Sequence, residues 1–305
     1  MGRLSYTNGE YRVTMKNILR LLRVKQWVKN GFIVFPLIFS GKLFQLSAVE
    51  DVAIVFAGFC FLASGLYVFN DFLDIKADAV HPEKSARPLA IMHLSPLLTG
   101  SIIVGLVAVG VLLCSWVSPA VFFVGFGYIL LHLVYNFYTK KIVILDVIFI
   151  ALGFQVRIWA GSLAAGVIPS VWLQMCVFVL ALFLGFTKRR HELIVLKDRA
   201  SEHRSVLSHY TAYLLDQIIM ICATLTVVFY GLYTISPEID IRFKGHGMEY
   251  SIIFVLYGLF RYLYLVHVKR RGGDPGEVMI SDLPLMISIF LWITYIILLT
   301  VHAFH

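Results

Sequence analysis

Asn70, Asp71, Asp74 and Asp78 close an uncharged apolar run, Val52 to Phe69, that is long enough to cross a bilayer. At ~100° per helical residue, Asp74 lies about 60° from Asp71 and Asp78 about 20° from it, so three carboxylates share one helix face. Such a face repels itself unless a cation sits there. Three hard oxygen ligands and the Asn70 amide suit Mg²⁺, which keeps several waters and completes its shell with substrate phosphates. An ordinary solvated helix end is the plainer alternative, but acids at a membrane boundary with only Lys76 between them are costly unless they have a role. The pattern points to a metal-diphosphate site at a membrane surface.

Three further groups of residues suit an anionic substrate. His81 to Pro88 follows the acids and carries Lys84 and Arg87, the first a point charge and the second a bidentate fork for phosphate oxygens. A second wall of the pocket is expected from Thr187 to Glu192, where Lys188 and Arg189 would hold phosphate and Glu192 would help with metal or a hydroxyl. Lys140, Lys141 and Asp146 form the third group, with Arg157 about 16 Å beyond Asp146 along one helix. An Arg within a span is usually paired or meets an anion, so a phosphate is a candidate partner for Arg157. Gly125-Phe126-Gly127 lacks the strand-turn-helix context of a dinucleotide loop, and the ten histidines form no HExxH pair.

These residues need a scaffold, and the composition fixes its class. With 59% hydrophobic and only 14% charged residues, the apolar residues arrive in long runs instead of amphipathic stripes. At ~20 residues per crossing, the runs predict an all-α integral membrane protein of about nine transmembrane helices, spanning residues 31–48, 50–74, 92–116, 118–138, 143–165, 168–187, 212–235, 250–268 and 283–302. Of the 26 Lys and Arg, all but Lys42, Arg157, Arg242, Lys244 and Arg261 fall before the first span or after the even-numbered ones. Cytoplasmic loops are enriched in basic residues, which predicts a multi-pass protein of the inner (plasma) membrane with a cytoplasmic N-terminus. The loops after the second, fourth and sixth spans then share the cytoplasmic face, where one active-site mouth would use them together.

Residues 1–30 are basic and polar, with Met15, Ile18, Leu19, Leu22 and Trp27 at helical spacing, which predicts an amphipathic interfacial segment. Residues 31–305 read as a single transmembrane domain. Cys60, Cys114, Cys176 and Cys222 are solitary within apolar runs and read as small core residues. Apolar helix faces permit a homo-oligomer.

The pattern NDxxDxxxD closing the second span, a Lys-rich fourth loop and a charged sixth loop in a nine-helix bundle resemble the UbiA-type polyprenyl transferase superfamily. Lys25-Gln26-Trp27-Val28-Lys29-Asn30, His81-Pro82 to Arg87-Pro88, Leu145-Asp146-Val147 leading to Arg157, Ala160-Gly161, and Lys188-Arg189 to Glu192-Leu193 look like its decaprenyl-phosphate phosphoribosyltransferase branch. The resemblance implies Mg²⁺-dependent transfer of 5-phosphoribosyl from 5-phosphoribosyl 1-diphosphate to a polyprenyl phosphate in a membrane, with no nucleic acid involved. It implies Asp71, Asp74 and Asp78 as catalytic acids, with Asn70 completing the metal set. It makes Lys84, Arg87, Lys188 and Arg189 the donor's phosphate ligands and adds Lys25, Lys29, Asn30 and Arg157 as substrate-binding residues. Aromatic-prenylating members carry a second acidic pair after the sixth helix, where this chain has Lys188 and Glu192. An aromatic prenyltransferase using a polyprenyl diphosphate is the alternative within the family. A transporter, the alternative outside it, would place its acids nearer the bilayer midplane.

Overall fold

The computed structural model describes residues 15–75, 89, 94–196, 205–245 and 247–304. Among them the chain is helical throughout: α1 (Met15–Leu21), α2 (Phe35–Phe39), α3 (Leu46–Leu73), α4 (Pro96–Val117), α5 (Pro119–Phe137), α6 (Leu145–Ala164), α7 (Val171–Leu196), α8 (Ala212–Thr234), α9 (Pro237–Phe243), α10 (Ile252–His267), α11 (Pro275–Ser281) and α12 (Leu283–Phe304). Local chemistry starts several of them. The side chains of Ser95, Ser118 and Thr211 accept hydrogen bonds from the backbone N–H of Leu98, Val121 and Leu214, and Pro96 and Pro119 occupy first-turn positions where no N–H is needed.

Among the described residues, eight helices are long and apolar enough to cross a membrane. The first expected span, 31–48, is not one of them. It is a 3-10 stretch (Val24–Ile33), the short α2 and a second 3-10 turn (Lys42–Phe44). The chain nonetheless runs from one end of the bundle to the other here. Arg23 pairs with Asp71 at the C-terminal end of α3, while Lys42 donates to the carbonyls of Ala165 and Gly166 just past the end of α6. The sequence contains the cause, because Gly31, Pro36 and Gly41 interrupt the apolar run, and Gly41 takes a left-handed φ of 73°. Irregular backbone at membrane depth must be covered by protein, and here α3 and α6 flank it. Asn30 and Ile33 are fully buried, and the Ile33 carbonyl lies so close to Gly161 that a Cβ there would sit 1.9 Å from it.

The same boundary divides the expected interfacial segment. Met15–Leu21 forms α1 with Ile18 and Leu19 exposed, but from Val24 the chain is already descending into the bundle. α3 and α4 approach closely along Gly58 and Gly110, where a Cβ on Gly110 would meet the Gly58 carbonyl at 2.8 Å. Large apolar side chains on α4 and α5, such as Trp116 and Phe123, face outward, as a lipid-facing surface requires. The four cysteines are buried and unpaired, as their solitary spacing predicts.

Candidate active site at the basic mouth of the bundle

One end of the bundle, called the near end, gathers the C-terminal turn of α3, the start of α6, the last turns of α7 and the loop between α10 and α11. Arg23, Lys25, Gln26 and Lys29 enter it from the first crossing. That segment is anchored by Trp27, whose indole N–H donates to the Ser64 hydroxyl at 3.0 Å, and by Ser64, which donates to the Leu22 carbonyl at 2.7 Å.

Asp71 and Asp74 occupy the last turn of α3, as the spacing predicts, and Asn70 lies part-buried beside them. Each acid has a cationic partner. Asp71, almost fully buried, pairs with Arg23, and Lys140 donates to Asp74 at 2.9 Å. Arg23 holds a left-handed φ of 51° and lies 5.2 Å from the centre of the Tyr67 ring, so a strained backbone carries this guanidinium to its carboxylate. Hard carboxylate oxygens one turn apart at a helix end suit a divalent cation by donor chemistry. No group of three His, Cys, Asp or Glu side chains converges as a metal cluster among the described residues. Asp78, Lys84 and Arg87 lie outside them.

Asp146 and Arg189 meet in the interior. The Arg189 Nε donates to Asp146 at 2.7 Å, its second nitrogen reaches Glu192, and Arg189 and Asp146 are at most 1% exposed. Tyr210 completes the network by donating to Asp146 at 3.1 Å and accepting the Ile144 N–H at 2.7 Å. Burial and the neighbouring Asp146 push the Tyr210 phenol up to about 12, so it stays protonated. Ile144 itself has φ 69°, rare for a β-branched residue, and the Tyr210 bond secures the turn that delivers Asp146. The expected phosphate ligand Arg189 is thus part of an internal ion network. Lys141 is exposed at the rim.

Arg157 is buried with protein partners in every direction: Nε donates to Asn30 at 2.7 Å, the other two nitrogens to the Gly153 carbonyl at 2.8 Å and the Tyr128 hydroxyl at 2.6 Å. Its guanidinium also lies 4.8 Å from the centre of the Tyr128 ring. The sequence offered an anion for Arg157 because Asn30 and Tyr128 are too distant along the chain to be seen as partners. In the fold, Arg157 and Asn30 clamp the first crossing to α6.

Asp274 is the site residue that motif reading missed. It caps α11, accepting from the Gly276 N–H at 2.9 Å, and its other oxygen accepts from Gln26 at 3.1 Å. The ammonium groups of Lys29 and Lys188 stand 3.6 and 3.9 Å from it. Burial works against the Asp274 charge, but the two lysines, the Gly276 N–H and Gln26 outweigh it and lower its pKa to about 2. Lys25 meets Glu277 at 3.1 Å at the exposed rim, and the Gly272 N–H donates to His191 at 3.2 Å. The only signal for this loop in the sequence is Asp274-Pro275 after two glycines, a helix-start pattern.

This end therefore joins an acidic helix terminus to two lysines on separate elements, bridged by Arg23 to Lys29. Residues 34–201, more than half of the chain, match the UbiA prenyltransferase family. The chain belongs to that family. It is accordingly a membrane-bound transferase. A protein of Corynebacterium glutamicum named decaprenyl-phosphate phosphoribosyltransferase is 30% identical over 92% of this chain and 86% of its own length. A protein of the same name from Mycolicibacterium smegmatis is 28% identical over 94% of this chain and 93% of its own. The structure of a UbiA homologue from Archaeoglobus fulgidus bound to GPP and Mg²⁺ superposes with a TM-score of 0.69 at 17% identity, covering 93% of this chain and 99% of that one, which shows the shared fold.

Proposed function

We infer that this transferase moves a 5-phosphoribosyl group from 5-phosphoribosyl 1-diphosphate to a polyprenyl phosphate and releases diphosphate, in the inner membrane with the near end facing the cytoplasm. The observation that carries this reading is the near end itself, which brings the acids closing α3 and the lysines Lys29 and Lys188 to one end of the bundle, charges that suit a metal ion and phosphate groups. The activity named for relatives that align with nine-tenths of the chain supports it, and the basic loops on that side support the orientation.

Asp71, Asp74 and Asn70 are the described residues that would hold Mg²⁺, with Asp78 a fourth candidate. When bound, the ion supplies charge neutralisation to the departing diphosphate. Arg23 and Lys140 pair with the two carboxylates and hold them at the end of α3. Lys29 and Lys188 would hold phosphate oxygens, with Lys84 and Arg87 as further candidates. The bond from ribose C1 to the diphosphate oxygen breaks as a bond from C1 to a lipid phosphate oxygen forms. That nucleophile is already an anion at neutral pH, so the protein contributes position and charge in place of a strong base. The polyprenyl tail would lie along apolar helix faces open to the bilayer.

Purified protein incubated with radiolabelled 5-phosphoribosyl 1-diphosphate and a polyprenyl phosphate, with and without Mg²⁺, tests the reading. Lipid-extractable label that needs Mg²⁺ is the expected result. Consumption of an allylic diphosphate with an aromatic acceptor, while no label enters lipid, would overturn the donor assignment.

A further inference from the structure

The loop between α10 and α11 is clasped from two sides. It leaves α10 through Arg270, which takes a left-handed φ of 53°, and the Arg271 N–H turns back to the Leu265 carbonyl at 2.9 Å. On one side it meets the first crossing, where Gln26 donates to Asp274, Lys25 donates to Glu277, and a Cβ on Gly276 would stand 3.2 Å from the Val28 Cγ1. On the other side it meets α7. The Gly272 N–H donates to the His191 Nδ1 at 3.2 Å. A Cβ on Gly272 would stand 3.1 Å from the His191 Cβ, and one on Gly273 would stand 3.3 Å from its Nε2. Two glycines therefore lie against the length of the imidazole, where a side chain would be crowded.

Lys188 and His191 stand three positions apart on α7, a spacing that makes them neighbours on one helix face. The helix thus offers a cation to Asp274 and an acceptor to the backbone just before it. The two contacts differ in kind. Lys188 and Lys29 reach the Asp274 carboxylate across 3.9 and 3.6 Å, an attraction with little direction. The Gly272 bond to His191 is directional and holds backbone, so it sets how far the loop stands from α7. Gln26 ties the same loop to the first crossing, and Asp274 is the residue both anchors deliver. Two ammonium groups repel one another unless a carboxylate accompanies them, so the place of Asp274 decides where both lysines converge.

We propose that His191 is a positioning residue for the transfer reaction. Through Gly272 and Gly273 it holds Asp274 at the place that brings Lys29 and Lys188 together, and it touches no substrate itself. Two converged cations suit two adjoining phosphates, which the donor's diphosphate carries and a lipid monophosphate lacks. His191 therefore acts on the grip of the donor and not of the acceptor. The inference rests on the reading of the two lysines as phosphate ligands and adds to it the contact that spaces them.

Calorimetric titration of the purified full-length protein with inorganic diphosphate and Mg²⁺ tests the inference whichever diphosphate donor the enzyme uses. His191→Phe keeps a ring of similar size but lacks the acceptor, and it should weaken binding about fivefold or more, the effect of one hydrogen bond. Gly272→Ala, which pushes a methyl group against His191, should weaken it as well. His191→Asn places its Oδ1 where Nδ1 stood and should return the affinity to near the wild-type value. In the label-transfer assay, His191→Phe should raise KM for 5-phosphoribosyl 1-diphosphate while kcat and KM for the polyprenyl phosphate stay unchanged. Diphosphate affinity equal to wild type in His191→Phe would overturn the proposal and leave the transferase reading standing. Equal losses in His191→Phe and His191→Asn, with a lowered unfolding temperature in both, would overturn it too and reduce His191 to packing. Wild-type protein that binds no diphosphate would overturn the transferase reading along with it.

Discussion

The two ends of the bundle use their cations in opposite ways. At the far end, Lys42 donates to the carbonyls of Ala165 and Gly166, and Arg242 to that of Phe39. Those bonds seal loops and helix ends onto backbone that cannot move away. At the near end, Arg23, Lys29, Lys140 and Lys188 face carboxylates of other elements. A side-chain pair can exchange one partner for a metal ion or a phosphate, whereas a backbone carbonyl offers no such exchange. The difference separates structural charge from chemical charge in a protein where both are scarce.

That contrast can be broken most forcefully at the acids. Asp71→Asn and Asp74→Asn should each reduce transfer of label into lipid by about 10²- to 10³-fold, the usual cost of losing a key electrostatic group. Asp74→Asn should do so with little change in thermal unfolding, because its carboxylate is a third exposed. Full turnover in either variant would remove the metal from α3. Arg189 tests the other side of the distinction within the near end. Arg189→Met leaves Asp146 buried and unpaired and should destabilise the fold by about 3–5 kcal/mol, read as a lower unfolding temperature in detergent. A directly bound phosphate ligand would instead lose affinity at unchanged stability.

Gly161→Ala drives a methyl group into the Ile33 carbonyl and should cost about 1–3 kcal/mol through overpacking, again visible in thermal unfolding. Asp274 sharpens the comparison through pH. Its carboxyl falls from 3.8 to about 2 in the folded protein, and at 1.36 kcal/mol per unit this contributes about 2 kcal/mol. A depressed pKa stabilises above the unfolded value, so this contribution is complete above about pH 4 and disappears as pH falls through about 2. Unfolding measured across that window should show the loss in wild type, and Asp274→Asn should lack it. The smallest effect belongs to the far end. Lys42→Met should cost about 1 kcal/mol and leave KM for either substrate unchanged, and an altered KM would show that the far end is not purely structural.

Much of this arrangement was legible in the chain. Eight of the expected spans correspond to long apolar helices because an uninterrupted apolar run of that length has few alternatives in a bilayer. That Asp71 and Asp74 stand at the end of α3 followed from where the apolar run stops, while Asp78, the third acid of the expected face, lies outside the described residues. What escaped depends on contacts between distant residues. Asn30 and Arg157 are 127 positions apart, and Gln26 and Asp274 are 248 apart, so no local periodicity could join them. Arg189 was read as a phosphate ligand because its charge was visible and its partners were not. The first expected span, 31–48, is not a membrane-spanning helix but a broken segment that runs the length of the bundle, a difference hydropathy hides because it averages over Gly31, Pro36 and Gly41.

The broken first crossing also bears on how the protein is made. Its backbone cannot enter lipid as an independent helix, because the 3-10 stretch leaves polar groups that α3 and α6 must cover. It emerges from the ribosome well before α6, which supplies both Gly161 and Arg157. Its final seat therefore exists only after more than half of the chain has been synthesised. Biogenesis must hold this segment in a provisional position until α6 is in place, so the wall that carries Arg23 and Lys29 into the mouth is completed only in the second half of synthesis, not at its beginning.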